Sequence, residues 1–289
     1  MYCTICPRNC NIDREKHVGF CKMSNEVKVA LADLFFYEEP IISGTQGSGA
    51  IFFSGCNMRC VFCQNQKISA ECNGKNITVR RLADIMRELT DKGAHNINLV
   101  SPTQFSTQIV EALEIYRPPI PVIYNTNGYE TVENIARLKD YVDVYLTDLK
   151  YVDTHYSTKF SMTPNYFEIA SKAIIEMVNQ KPEIILKDGI IQSGVIIRHL
   201  VLPTCIKDSF AVADRIKAYF GNKVLVSFMS QYTPCNDLSH FPEIDRKLKP
   251  IEYKAVIAHL EKIGLTNGFI QYADSSDTCF IPDFNNKNV

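Results

Sequence analysis

From residue 50 onward, two hydrophobic patterns alternate along the chain. Short, nearly continuous apolar runs indicate buried strands, and longer segments with an apolar residue every three or four positions indicate helices with one buried face. The predicted strands are 50–55, 96–100, 121–124, 142–146, 195–202 and 224–229. The predicted helices are 78–92, 105–116, 130–138, 165–179, 209–220 and 251–263.

The segment 78–92 illustrates the helical pattern. Leu82, Ile85, Met86 and Leu89 fall on one face, and Thr78 precedes them at the start of the segment. A threonine in that position caps a helix because its hydroxyl accepts a hydrogen bond from a free backbone N–H. We therefore expect a helix that begins next to Thr78 and buries this face.

About six strand–helix repeats predict an α/β fold. Apolar strands that alternate with helices favour a parallel sheet covered by helices. Because crossover connections are right-handed, such a chain forms an open doubly wound sheet or a curved partial barrel. We predict a partial (β/α)6 TIM-type barrel over residues 50–289, with its functional side chains at the C-terminal ends of the strands. The tail 285–289 is expected to fray.

Residues 1–49 are predicted to form a separate N-terminal extension. Its first 25 or so residues are a cysteine-rich head. The rest, from about residue 26 to 49, is a connector that ends in a stretch rich in glycine and serine, which suits turns rather than a helix. The predicted domains are thus a head with its connector, and the barrel.

Composition and charge narrow the class of protein. The chain has 289 residues, of which 46% are hydrophobic and 22% charged, and its net charge is -1. This balance predicts a globular protein without strong attraction to nucleic acid or to an anionic membrane. We see no membrane-spanning run and no secretory signal, so a cytoplasmic location is expected. Eleven cysteines in a reducing compartment favour metal-binding thiolates over disulfides.

Three of the cysteines lie close together after the first predicted strand. Cys56, Cys60 and Cys63 follow Gly55 with the spacing Cys-x3-Cys-x2-Cys, and Phe62 precedes the third cysteine. Three thiolates on one loop can hold three irons of a cubane cluster and leave the fourth iron without a protein ligand. The alternatives are a zinc site or three unrelated thiols, but structural zinc sites use two pairs of ligands rather than a triplet.

This spacing, with an aromatic residue before the third cysteine, resembles the signature of the radical S-adenosylmethionine (SAM) superfamily. Nearly the whole chain resembles uncharacterised homologues of pyruvate formate-lyase activating enzyme. The segments that carry this likeness are Cys3-x2-Cys6-Pro7-Arg8-x-Cys10, Glu38-Glu39-Pro40-x2-Ser43-Gly44, Cys63-Gln64-Asn65, Asp148-Leu149-Lys150, Arg198-His199-Leu200-Val201-Leu202-Pro203 and Met229-Ser230-Gln231-Tyr232.

The resemblance implies a 4Fe-4S cluster on the three loop cysteines and SAM as the second cofactor. It also implies that Phe62 packs near the adenine and that Asp148 and Lys150 contact SAM. A carboxylate can accept hydrogen bonds from ribose hydroxyls, and an ammonium can pair with the methionine carboxylate. Glycyl-radical activating enzymes have the sequence Asp-Thr-Asn-Gly at the end of the third strand. In this chain the first of these four positions is Asn125, so an amide replaces their carboxylic acid.

Other predicted SAM contacts depart further from the family pattern. Many radical SAM proteins carry Gly-Gly-Glu after the second strand, where this chain offers Ser101 and Thr103. Arg198 and His199 share one strand, so alternation should turn one of them into the barrel. A buried arginine needs an anion, either SAM, a substrate or a structural carboxylate. Gln231 ends another strand and is the last predicted contact.

The head carries a second group of cysteines, Cys3, Cys6, Cys10 and Cys21. Four thiolates at this spacing can saturate a metal, either as a structural zinc site or as an auxiliary iron–sulfur cluster. His17 is a weaker ligand candidate. The remaining cysteines are expected to be buried apolar residues; they are Cys72, Cys205, Cys235 and Cys279.

Three functions are compatible with these features. The first is an activating enzyme that abstracts a hydrogen atom from a backbone glycine of a partner protein. The second is a radical enzyme acting on a small molecule, a peptide or a nucleic acid, although the net charge disfavours nucleic acid. The third is a non-catalytic metal-binding or electron-transfer module, which would not need Asp148 and Lys150. The expected partners are SAM, an electron donor such as flavodoxin or ferredoxin, and a protein substrate in the case of activation.

Overall fold

Strands and helices alternate along most of the chain in a computed structural model that describes residues 2–270, 282 and 284–289. The strands are β1 (Val27–Phe35), β2 (Ser48–Phe53), β3 (Lys75–Ile77), β4 (Ile97–Val100), β5 (Val122–Thr126), β6 (Val144–Asp148), β7 (Ile185–Lys187), β8 (Ile190–Leu200), β9 (Leu225–Met229) and β10 (Gly268–Ile270). The α-helices are α1 (Pro40–Ser43), α2 (Gln66–Ser69), α3 (Val79–Asp91), α4 (Ser106–Ile115), α5 (Val132–Arg137), α6 (Thr154–Ser161), α7 (Tyr166–Gln180), α8 (Ile206–Phe220) and α9 (Pro250–Ile263).

One mostly parallel sheet forms the centre of the fold. Its strand order is β10-β9-β8-β6-β5-β4-β2-β1-β3, with β7 paired to β8. The neighbours from β2 to β10 run parallel, whereas β1 is antiparallel to both β2 and β3. All six predicted strands occur as β2, β4, β5, β6, β8 and β9, in sequence order. The predicted α/β partial TIM-type barrel is therefore confirmed.

The strand β1 and the attachment of the C-terminal tail were not predicted from the sequence. The segment predicted as a connector contains β1, which pairs with β2 at the edge of the sheet. The tail, predicted to be frayed, is instead attached to this strand: Asn286 donates its N–H to the carbonyl of Ala30, and Lys287 accepts one from Ala32. The prediction of fraying was wrong because β1 offers backbone partners to the tail. The division at residue 49 stays a prediction.

The helices cover the outer face of the sheet with apolar side chains. The face predicted for α3 is confirmed, since Leu82, Ile85, Met86 and Leu89 are all buried. Thr78 caps this helix by accepting a hydrogen bond from the N–H of Arg81. Each such buried side chain stabilises the fold by about 1.5–3 kcal/mol relative to exposure. Among the described residues, none of the helices combines the length and the apolar character needed to cross a membrane.

The short helix α1 closes the base of the barrel. Its residue Ile42 is fully buried and packs in one cluster with Ile123, Leu146 and Ile196, which belong to β5, β6 and β8. This apolar packing fills the inside of the sheet near its base. The polar side chains that follow along the same strands therefore lie above an apolar floor, towards the C-terminal strand ends.

Candidate active site

The C-terminal strand ends surround one cleft. Its wall includes ten of the eleven predicted catalytic and SAM-binding residues other than those of the head: Cys56, Cys60, Phe62, Cys63, Ser101, Asn125, Asp148, Lys150, Arg198 and Gln231. Thr103 does not line this cleft. Residues that are up to 175 positions apart in sequence are thus brought to one place, as expected for a barrel whose chemistry sits at this end.

The loop that carries the cysteines begins at a constrained glycine. Gly55 has a φ of +78°, and a β-carbon there would lie 2.4 Å from Cγ of Met23 and 2.6 Å from the carbonyl oxygen of Cys21. Only glycine fits such a place without displacement. The amide of Gln104 donates to the carbonyls of Ser54 and Gly55 and fixes the start of the loop. Gln104 was not among the predicted residues, because the loop it holds is distant in sequence.

Hydrogen-bond donors point at the sulfur of Cys56. The N–H of Met58 lies 3.4 Å from it, and the side-chain amide of Asn127 lies 3.3 Å from it. Burial raises the pKa of this thiol to about 11. Donors of this kind favour a thiolate, whereas burial disfavours one unless a cation is bound. The surroundings of Cys56 therefore fit a metal ligand.

The other two loop thiols have similar neighbours. The hydroxyl of Ser161 donates to the sulfur of Cys60 over 3.0 Å, and burial raises the pKa of Cys60 to about 12. The sulfur of Cys63 lies 3.3 Å from the hydroxyl of Ser69. The three thiols, each beside a hydroxyl or amide, fit the donor set of an iron–sulfur cluster with one open iron.

A buried charge network forms the opposite side of the cleft. Lys150 contacts Asp148 over 2.6 Å, and Nε of Arg198 lies 3.3 Å from the same carboxylate. Burial opposes ionisation of Asp148, but the two cations outweigh it and hold its pKa below the usual value. Arg198 also pairs with Glu38 over 3.0 Å and donates to the side chain of Asn125 over 2.6 Å. The predicted Asp148–Lys150 pair is thus part of a larger structure.

Glu38 was not predicted, although the Glu-Glu-Pro motif had been noted. It belongs to residues 36–44, named here the base segment, which enters the barrel from below. The hydroxyl of Ser43 accepts the N–H of Glu38 over 3.0 Å. Gly44 has a φ of +47°, and a β-carbon there would lie 2.5 Å from Ile190 and 2.7 Å from His95. The motif therefore folds a tight turn that presents Glu38 to Arg198.

Alternation along β8 places Arg198 and His199 on opposite faces, as predicted. Arg198 lines the cleft, and the anions it meets are protein carboxylates. His199 is buried on the outer face, where its ring nitrogens lie 2.9 Å from the carbonyl of Leu149 and 2.9 Å from the hydroxyl of Ser209. Burial lowers the pKa of His199 to about 4, so it is neutral there.

The aromatic residue of the signature packs against the loop that follows β9. The rings of Phe62 and Tyr232 meet edge to face with centroids 6.1 Å apart. In the same loop, Asn236 donates its side-chain amide to the carbonyls of Val61 and Cys63. This loop therefore supports the cysteine loop from the far side of the cleft, and it brings Gln231 to the wall.

Ser101 and Thr103 have different positions. Ser101 lies at the wall of the cleft with a φ of +57°, and its carbonyl accepts the amide of Gln104. Thr103 lies in the turn that follows, away from the cleft. Its hydroxyl donates to the buried carboxylate of Glu130 over 2.6 Å. Thr126 donates to the same carboxylate. The structure therefore assigns Thr103 a place in a buried hydrogen-bond network and not in the cleft.

The cysteine-rich head is attached to the cysteine loop. Nε of Arg8 donates to the carbonyl of Asn57 over 2.8 Å, and its guanidinium lies 3.8 Å from the centre of the Phe20 ring. On the same ring lies the guanidinium of Arg59, which also donates to the carbonyl of Phe20. Stacked cations of this kind contribute about 0.5–2 kcal/mol each. The head and the loop with Cys56 thus form a continuous unit.

The four head cysteines are neighbours. The sulfurs of Cys10 and Cys21 lie 3.4 and 3.6 Å from the point where a β-carbon of Gly19 would be. Burial is the main cause that raises the pKa of Cys6 to about 12, with smaller contributions from Glu130, Cys21 and Cys3. Like Cys56 and Cys60, Cys6 would ionise only when a bound cation offsets its burial.

No three His, Cys, Asp or Glu side chains in the described part of the chain are close enough to hold a metal ion. His17 is exposed. Of the scattered cysteines, Cys205 is buried as expected, whereas Cys235 is exposed and Cys72 half-buried. Cys279 lies outside the described residues.

Comparisons with known proteins indicate the family of the chain. A model of the radical SAM superfamily matches residues 50–190. An uncharacterized protein of Methanocaldococcus jannaschii is 33% identical over 276 residues, which cover 91% of this chain and 75% of that protein. The 7-carboxy-7-deazaguanine synthase of Methanothermobacter thermautotrophicus is 26% identical over 177 residues, covering 57% of this chain and 68% of that enzyme.

Among solved structures, Streptococcus suis SuiB bound to S-adenosylmethionine has a similar fold. Its TM-score is 0.53 at 13% identity, and the match covers 75% of this chain. This chain spans about half of the solved structure, 48% of its length. The chain belongs to the radical SAM superfamily. It is accordingly a radical SAM enzyme, whose family binds an iron–sulfur cluster and SAM.

Proposed function

We propose that Cys56, Cys60 and Cys63 hold a 4Fe-4S cluster and that the enzyme cleaves SAM reductively. Bound there, the cluster would supply the electron that splits the sulfonium of SAM into methionine and a 5'-deoxyadenosyl radical. The observation that carries this proposal is the shared cleft, in which the three thiols lie with the buried network of Asp148 and Lys150. A non-catalytic metal-binding module would not need this network.

The side chains of the cleft suit different parts of SAM. Lys150 is placed to pair with the methionine carboxylate, and Asp148 to accept hydrogen bonds from ribose hydroxyls or from the amino group. Phe62 offers an aromatic edge to the adenine. Arg198 already holds Glu38 and Asn125, so we propose that it positions Asp148 rather than binding SAM itself.

The head is proposed to bind a second metal through Cys3, Cys6, Cys10 and Cys21. Support comes from the burial of Cys6 and Cys21 and from the N–H of Phe20, which lies 3.3 Å from the sulfur of Cys10. An iron–sulfur cluster there would relay electrons or bind substrate, and a zinc ion would hold the head in place. Metal analysis of a Cys6 variant distinguishes the two.

Hydrogen abstraction from a substrate is the proposed outcome of SAM cleavage. Activation of a glycyl-radical enzyme is one form of it, supported by the sequence segments that resemble uncharacterised homologues of pyruvate formate-lyase activating enzyme. Modification of a small molecule or a peptide is the other form, supported by the likeness to 7-carboxy-7-deazaguanine synthase over 57% of the chain. In either form, a low-potential donor such as flavodoxin or ferredoxin would supply the electron.

The proposal is tested with protein reconstituted with iron and sulfide in the absence of oxygen. With dithionite as reductant, the protein should convert SAM to 5'-deoxyadenosine, which is measured by chromatography. Reconstituted protein that contains a 4Fe-4S cluster but forms no 5'-deoxyadenosine would contradict the proposal. A glycyl radical, detected by electron paramagnetic resonance after incubation with SAM and pyruvate formate-lyase, would favour the activating form.

A further inference from the structure

A second cavity lies inside the barrel, beside the base segment. Its volume is about 420 Å³, enough for a group of several non-hydrogen atoms, since a water occupies about 30 Å³. Its wall includes Glu38, Glu39 and Ser227. Arg198 and Gln231 line both this cavity and the cleft. The two spaces therefore share a wall, and a molecule in the second cavity would lie next to the proposed SAM site.

The buried charges around this wall are unequal in number. Asp148 pairs with Lys150, and Arg198 pairs with Asp148 and Glu38. Glu39 is a third carboxylate, only 8% exposed. Its Oε2 is enclosed and accepts no hydrogen bond from any described residue. Three carboxylates thus face two cations, and a buried carboxylate without a partner is costly unless a cation joins it.

Both positive groups of the network already face carboxylates, although Nε of Arg198 makes no hydrogen bond with a described residue. The two terminal nitrogens of Arg198 bind Glu38 and Asn125, and its Nε lies 3.3 Å from Asp148. Lys150 is held by Asp148 over 2.6 Å. An anionic ligand would have to break these contacts. Glu39, by contrast, forms no ion pair with a described residue, so the cavity favours a positive ligand over a negative one.

We propose that this cavity binds a cationic nitrogen of the substrate, an amine or a guanidinium, through Glu39. The inference rests on the proposed function and adds the chemical class of the substrate to it. The shared wall would hold the rest of the substrate beside SAM, where a hydrogen atom can be abstracted. Glu39 binds the substrate and takes no part in the cleavage of SAM.

The probe is pentylamine, and pentanol is its neutral counterpart of similar size. Binding of each is measured by calorimetry on anaerobically reconstituted protein. Pentylamine should bind the wild type and bind Glu39→Gln about tenfold or more weakly, because this change removes the charge and keeps the shape. Glu39→Asp keeps the charge and should retain binding. Glu111→Gln, on the exposed surface of α4, is the matched control and should bind like the wild type.

Cleavage of SAM is assayed in the same preparations. Protein that cleaves SAM but binds pentylamine no better than pentanol would overturn the inference and leave the proposed function standing. Equal binding of pentylamine by the wild type and Glu39→Gln would also overturn it. Charge-dependent binding without cleavage of SAM would contradict the proposed function and support the cation site alone. Should Glu39→Gln fail to fold, the comparison of pentylamine with pentanol on the wild type decides.

Discussion

The molecule contains two groups of cysteines, all partly or fully buried, that share local chemistry and differ in surroundings. In the loop, the N–H of Met58 points at the sulfur of Cys56, two residues earlier. In the head, the N–H of Phe20 likewise points at the sulfur of Cys10, ten residues earlier. The loop thiols, however, line the cleft with the charge network, whereas the head cysteines do not.

This difference suggests how one residue type serves two purposes. Three sulfurs leave one corner of a cubane cluster free for a ligand, and four sulfurs saturate a metal. The loop accordingly lines the cleft, where a ligand can reach it, and Phe62 and Lys150 line the same cleft. The head instead packs against the loop through Arg8 and Phe20. We expect substitutions in the two groups to have separable effects.

The largest effect is expected for Cys60→Ala. It removes one of three proposed cluster ligands, so the loop should lose its iron and the formation of 5'-deoxyadenosine should fall to the background rate without enzyme. Iron and sulfide counts and the SAM assay check this. Cys72→Ala, outside both groups, is the matched control and should leave cleavage unchanged. A Cys60→Ala protein that still cleaves SAM would contradict the assignment.

Next comes Asp148→Asn, which deprives Lys150 and Arg198 of their shared anion. Hydrogen bonds to charged groups contribute about 1.5–3 kcal/mol, so SAM should bind about 10- to 100-fold more weakly. Equilibrium dialysis of reconstituted protein with labelled SAM measures this. The same exchange in Asp84→Asn, on the exposed side of α3, serves as control. Unchanged affinity in Asp148→Asn would separate the charge network from SAM binding.

Cys6→Ala should affect the head alone. Because structural metals contribute folding energy, the variant should unfold at a lower temperature and lose one class of metal. Elemental analysis identifies that metal as iron or zinc, and calorimetry gives the unfolding temperature. The loop cluster and SAM cleavage should persist. If the loop iron were lost as well, the two cysteine groups would not be independent.

The smallest effect on activity is expected at His199, which gives the fold a pH dependence of stability. The pKa of this buried ring is lowered from 6.5 to about 4 in the folded protein. Between these two pH values the unfolded chain binds more protons than the folded protein. The neutral ring of His199 therefore stabilises the folded protein above pH 6.5, and this contribution is lost as the pH falls to about 4. The loss is at most about 3 kcal/mol. Denaturant unfolding of His199→Gln should show a weaker acid dependence than the wild type, and exposed His155→Gln should match the wild type. An identical dependence of stability on pH in His199→Gln and in the wild type would contradict this prediction.

Local patterns in the sequence predicted much of this structure. Apolar spacing located the six parallel strands, and the alternation of Arg198 and His199 followed from strand geometry. The strand β1 lies in a segment predicted as a connector, because the glycine- and serine-rich residues at the end of that segment favour turns. Thr103 was misplaced because the left-handed backbone at Ser101 and the following turn redirect the chain.

Contacts across long sequence separations were beyond such patterns. Glu38 meets Arg198 from 160 positions away, and no local spacing indicates that pairing. The same holds for Asn127, which reaches the sulfur of Cys56 from another strand end. The cleft itself was predictable, since functional residues cluster at strand ends. The base segment that supports it required the folded structure.

The central claim is an iron–sulfur cluster with one iron open to SAM. Electron paramagnetic resonance of the dithionite-reduced, reconstituted protein tests it most directly, because a ligand on the open iron changes the spectrum. We predict a reduced 4Fe-4S signal that changes when SAM is added and that is absent from the loop in Cys60→Ala. A signal that SAM leaves unchanged, or a loop that holds only zinc, would contradict the account.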